Sequence, residues 1–203
     1  MRLMAAVIVI GVAAMAGCST LEPPAEVAGG VTMELRRGSS WRTLTVKPPF
    51  VRGYTAMLRL KDGALRGRLG AARLDLELRD GSIESRDRSP IEVEILDEGH
   101  GLILEGRWLG RPIRLHVGEL GVRGSLWTLG GGFCDFQLNE ISPDGVLEGF
   151  SSCGGMPEET LVEVPPVLEK WLTRTEVVSL VLALLSSAPR TEREKVWLRG
   201  PWL

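Results

Sequence analysis

The sequence predicts a mainly β protein: an antiparallel, curled sheet, barrel-like or sandwich-like, with a buried C-terminal helical segment. Three observations predict it. Apolar residues recur with period two between residues 31 and about 152, turn dipeptides punctuate them, and a late run is apolar on nearly every side.

Taken in order, the chain opens with MRLMAAVIVIGVAAMAGC. Arg2 makes a positive start, residues 3–16 form an apolar run of signal-peptide length, and the small residues Ala16 and Gly17 precede Cys18. The run is too short for a membrane span, which needs ~20 apolar residues. Met15-Ala16-Gly17-Cys18 resembles the lipobox of bacterial lipoproteins, with methionine where leucine is commonest. The resemblance covers the leader alone. It implies that 1–17 is a signal peptide cut off before Cys18, whose sulfur carries diacylglycerol. A thiolate is the nucleophile a lipid transferase can alkylate, and two or three acyl chains, at ~0.8 kcal/mol per buried methylene, hold where one does not. Ser19 in place of aspartate implies, within that family, sorting to the outer membrane, facing the periplasm. The expected partners are therefore the membrane, through the anchor, and another envelope protein.

Residues 18–30 read as a lipidated N-terminus and linker: small, bearing Pro23-Pro24 and ending in Gly29-Gly30. Residues 31–203 then form a single β-rich domain, and the 186 residues from Cys18 onward suffice for one core. The 24 basic residues face 26 acidic ones. That balance argues against nucleic acid as a partner, which calls for a clustered excess of positive charge.

Within the domain, Leu74, Leu76 and Leu78 alternate with Arg73, Asp75, Glu77 and Arg79. Ile91, Val93 and Ile95 alternate with Glu92 and Glu94 in the same way, as do Ile113, Leu115 and Val117 with Arg114 and His116. Such strands have one dry face and one wet face. Asp62-Gly63, Asp80-Gly81 and Asp144-Gly145 tolerate the positive φ of tight hairpins. Ten to twelve strands are expected, near 31–36, 41–47, 54–61, 64–70, 72–79, 82–86, 91–97, 101–109, 112–118, 121–128, 132–139 and 145–151. A phrase with glycine on the apolar face recurs at Gly67, Gly106, Gly124 and Gly149, which predicts a sheet that curls.

Pro165-Pro166 opens a helical region expected over about 165–187. Its stretch 177–185 is apolar nearly all round, cannot cross a membrane, and must be buried. It is the natural plug for a curled sheet. Thr191 with Glu194 has the spacing of a capping box, predicting a last short helix at 192–198.

With Cys18 assigned to lipid, Cys134 and Cys153 remain, and export takes them where thiols oxidise. They are expected to bond to each other. Neither lies in a C-x-x-C, and the histidines are His100 and His116 alone, so no metal site and no cofactor is expected. A hydrolase would need a base beside its nucleophile, but His116 reads as a wet-face residue and His100 as part of a turn with Asp97 and Glu98. Asp97, Glu98 and His100 are an ordinary polar turn tip rather than a cation site. No catalytic residue is therefore expected. Trp127 is the candidate binding residue: it falls opposite Leu126, on the side of Arg123, where it could meet a partner. The leading expectation is a non-enzymatic binding or structural module at the bacterial outer membrane. The alternatives are a carrier of an apolar ligand in a half-open barrel, and a periplasmic hydrolase.

Overall fold

The computed structural model describes residues 29–87, 90–118, 121–129, 132–187 and 190–191. The expected leader, Cys18, the part of the expected linker up to residue 28 and the helix expected at 192–198 lie outside the described residues.

Fourteen strands run as one antiparallel meander. The first seven are β1 (Val31–Arg37), β2 (Ser40–Lys47), β3 (Phe50–Gly53), β4 (Ala56–Lys61), β5 (Ala64–Leu69), β6 (Ala72–Arg79) and β7 (Ser82–Ser85). The next seven are β8 (Glu92–Asp97), β9 (Gly101–Trp108), β10 (Arg111–Gly118), β11 (Gly121–Thr128), β12 (Gly132–Ser142), β13 (Val146–Ser152) and β14 (Glu158–Glu163). Each strand pairs with the next, and β14 pairs back onto β1, so the sheet closes into a barrel. Closure removes the open edges that would otherwise invite pairing with other chains. A two-residue strand, β15 (Arg190–Thr191), pairs with Trp41 and Ser40 of β2.

The strand count exceeds the ten to twelve expected, for local reasons. The expected strand 54–61 begins only at Ala56, because Tyr54 and Thr55 form a bend, and β3, before that bend, was not among the expected strands. β3 has four residues, too few for a period of two to register. In β14 the inward positions are Thr160 and Val162, and a hydroxyl at one of them hides the alternation.

Alternation sends Leu44, Leu58, Leu65, Leu76, Leu104 and Leu115 inward, where they are buried. Outward go charged residues such as Arg59, Arg66, Glu94, Glu105 and Arg114. A lipid-facing barrel carries an apolar outer band; here charged side chains occupy outward positions of β4, β5, β8, β9 and β10.

The glycine phrase does what its position implies. Gly67 has φ +138° and Gly124 φ +116°, and a Cβ on either would lie 2.1 Å from the Met57 carbonyl oxygen or 2.2 Å from that of Arg114. Each strand thus bends hard against its neighbour at a point where no side chain fits.

A barrel of eight strands is filled by its own side chains, and the bore widens with strand number. Here the extra space holds α1 (Arg174–Ser186), whose 13 residues make a rod of ~20 Å. That length matches a barrel wall of seven- or eight-residue strands at ~3.3 Å per residue. Leu180, Leu182, Ala183, Leu184 and Leu185 are fully buried, as a helix with no polar face requires.

The helical region is not continuous over 165–187. A 3₁₀ helix (Pro166–Lys170) comes first, and α1 starts afresh at a capping box. The Thr173 hydroxyl accepts from the Glu176 amide, and the Glu176 carboxylate accepts from the Thr173 amide. Between the two helices Trp171 stays 45% exposed.

At its far end the helix meets the barrel wall. The Leu129 amide donates to the Ser186 carbonyl at 2.7 Å, and the Arg42 guanidinium donates to the Leu185 carbonyl at 3.4 Å. Carbonyls that a helix end leaves open are thereby met inside the barrel, and a cation stands at the negative end of the helix dipole.

Candidate functional site

Strand direction sorts the loops to two mouths. The β8–β9, β10–β11 and β12–β13 turns share one mouth with the entry of α1; the disulfide and the end of α1 lie at the other.

At the entry mouth a cleft of about 650 Å³ opens between the first turns of α1 and the wall from β9 to β14. Val117, Val122 and Leu147 line it from the strands, and Val177, Val178 and Val181 from the helix. Its rim is polar, with His100, Glu140, Glu169 and Arg174. Arg174 is ion-paired with Asp97, which fastens the start of α1 to the β8–β9 turn. The Gly99 amide, which donates to Asp97 at 2.9 Å, together with Arg174 holds that carboxyl below its ordinary range.

The size fits a small-molecule site, which usually occupies ~300–1,000 Å³ with apolar walls and a few polar groups. The chemistry available is that of binding. His100, Glu140 and Glu169 share the lining, but the described residues lining it include no serine, threonine or cysteine to act as nucleophile. Asp97 is engaged with Arg174, and among the described residues no cluster of three histidine, cysteine or acidic side chains could hold a metal ion.

The residues singled out in the sequence fall elsewhere. Cys134 and Cys153 form a disulfide across β12 and the end of β13, with Cα atoms 4.0 Å apart. Trp127 and Arg123 both lie on the outer wall of β11, as alternation implies. Trp127 is half-buried, with the Arg111 guanidinium 4.8 Å over its ring, so one face of the indole is already covered. Arg123 donates to the Asn139 side chain at 3.0 Å. His116 stands on β10 opposite Arg123 and is half-buried. His100 is exposed in the β8–β9 turn, as expected, and stands at the cleft rim.

Sequence reasoning missed the cleft itself. Val177, Val178 and Val181 belong to an apolar run whose burial was expected, but which turn of the run faces a gap depends on how wide the barrel is there.

Comparison with protein-family models, with curated proteins and with solved structures finds no match.

Proposed function

We propose that this chain is a lipid-anchored bacterial envelope protein that binds, without chemical conversion, an apolar chain in the cleft at the helix-entry mouth. The cleft carries the reading: its walls are aliphatic, its rim is charged, and its volume suits an acyl chain or a cluster of apolar side chains. The lipobox-like leader supplies the address, with Cys18 as the acylated residue and the outer membrane, periplasmic side, as the destination. The helix limits what is bound. α1 already fills the bore around Leu182 to Leu185, so the ligand lies beside the first turns of the helix rather than within a hollow barrel. A hydrolase is the weaker reading because His100 and the glutamates at the rim have no hydroxyl or thiol beside them in that lining.

The test is displacement of a dansylated fatty acid by palmitate. The chain should bind the probe in the micromolar range, and Val181→Phe, which fills the cleft from the helix side, should weaken it by about tenfold, ~1.4 kcal/mol. Thermal stability should stay near that of the parent. Unchanged affinity in a folded Val181→Phe would overturn the site. Mass spectrometry tests the anchor separately: Cys18→Ala should abolish the fatty acid on the protein.

A further inference from the structure

The outer wall of β3 to β6 carries two rows of side chains that run across the strands. In one, Phe50 faces Arg59 and Arg59 faces Arg66. In the other, Arg52 faces Met57, Met57 faces Arg68, and Arg68 faces Arg73. Directly opposed residues in a sheet stand ~5 Å apart, where like charges repel. Arg59 against Arg66 and Arg68 against Arg73 are two such pairs in neighbouring rows. Only Arg66 is offset by a carboxylate, that of Asp75 at 2.9 Å. Among the described residues no carboxylate lies within 4 Å of the guanidinium groups of Arg59, Arg68 or Arg73.

This concentration is notable in a chain whose formal net charge is −2. The compensating acids lie elsewhere on the outer wall, at Glu92 and Glu94 of β8, Asp135 of β12, Glu148 of β13 and Glu159 of β14. The wall is therefore uneven: β12 to β14 carry outward acids at Asp135, Glu148 and Glu159, β9 to β11 mix Glu105 with Arg107, Arg114 and Arg123, and β3 to β6 concentrate arginine. A repulsive arrangement that folding does not need points to an external anion.

We propose that the β3–β6 wall docks on the anionic headgroup layer of a membrane. Arginine suits phosphate through its planar fork of donors. A bilayer, rather than a soluble anion, is indicated by Met57 and Phe50, which sit among the arginines at 70% and 46% exposure and can enter the apolar boundary beneath the headgroups. The acids of β12 to β14 turn that side of the barrel away from the same surface. Docking lays the barrel on its side, and it does not depend on acylation of Cys18.

The experiment is arginine labelling of the full chain with phenylglyoxal, read by mass spectrometry, in the presence of preformed vesicles. One set contains equal parts phosphatidylglycerol and phosphatidylethanolamine, the other phosphatidylcholine; any acyl anchor enters both alike. On the anionic vesicles Arg59, Arg68 and Arg73 should label about fivefold more slowly, with protection lost near 1 M salt. Arg114 and Arg123, on other strands of the wall, should label equally in both. Arg68→Gln with Arg73→Gln should preserve the fold, since it relieves a repulsion, and should release Arg59 from protection. Equal labelling of the β3–β6 arginines in both vesicle types would overturn the proposal. So would equal protection by glycerol phosphate, which would mark a site for a small anion, or protection by dextran sulfate without protection by vesicles, which would mark a polysaccharide.

Discussion

The Trp108 indole N–H donates to the Ser186 hydroxyl at 3.0 Å, joining β9 to the end of α1 across 78 residues of sequence inside the core. The same hydroxyl donates to the Leu182 carbonyl at 2.5 Å. Both residues are fully buried, so water cannot take the place of either partner.

Ser186→Ala should therefore cost about 1–3 kcal/mol, because it orphans the indole N–H in an apolar interior. In Trp108→Phe that donor is gone, and adding Ser186→Ala should then cost much less. Urea unfolding of the two single variants and the double variant measures the coupling, expected to be about 1 kcal/mol or more. Additive losses would mean that the bond contributes nothing to holding the plug in the barrel.

Gly124→Ala should disrupt the barrel, at a cost above about 3 kcal/mol, because the new Cβ meets backbone at a φ that alanine avoids. Gly99→Ala is the control. Its φ is +78°, also unfavourable, but nothing lies within 4 Å of the added carbon, so the loss should stay near 1 kcal/mol. Circular dichroism with thermal melts distinguishes the two; equal losses would show that φ alone, and not the close approach of β10, requires glycine.

These glycines also mark how far the sequence could be read. Leu74 and Leu76 alternating with Arg73 and Asp75 state the strand and its dry face, and Gly67 and Gly124 on that face state that the sheet curls. Closure was not legible, because it depends on β14 meeting β1, and β14 shows its inward face through Thr160. The helix was visible as an all-apolar run, but its start was not, since Thr173 and Glu176 form the capping box within a stretch read as already helical. For Trp127, alternation gave the correct side of the sheet. The cover from Arg111 belongs to a neighbouring strand, and no spacing within β11 announces it.

The Cys134–Cys153 bond closes a loop with a sequence separation of 19, for which the chain-entropy account gives ~3 kcal/mol. Cys153→Ser is the better probe, since Cys134 is fully buried and Cys153 is not. The variant should melt well below the parent under oxidising conditions and together with it in excess reductant. A gap that persists in reductant would assign the loss to packing rather than to the cross-link.

Arg42 faces into the barrel at 4% exposure, and burial, with a smaller contribution from the nearby Arg37, pushes its guanidinium down to about 10. Its hydrogen bond to Leu185 does not undo that, and its Nε has no partner among the described residues. A base whose folded value lies below its unfolded one is less comfortable charged in the fold. Its penalty, on the order of 3 kcal/mol, is therefore full below pH 10 and fades as pH rises toward the unfolded value. Arg42→Met keeps the stem's packing and removes the charge, at the cost of leaving the Leu185 carbonyl short of a donor, about 1 kcal/mol. The variant should thus match or exceed the parent at pH 8, and its advantage should shrink by pH 11, where other titrating groups affect both proteins alike. Urea unfolding at the two pH values reads the difference; an advantage independent of pH, or a clear loss at pH 8, would show that capping the helix outweighs the burial of the charge.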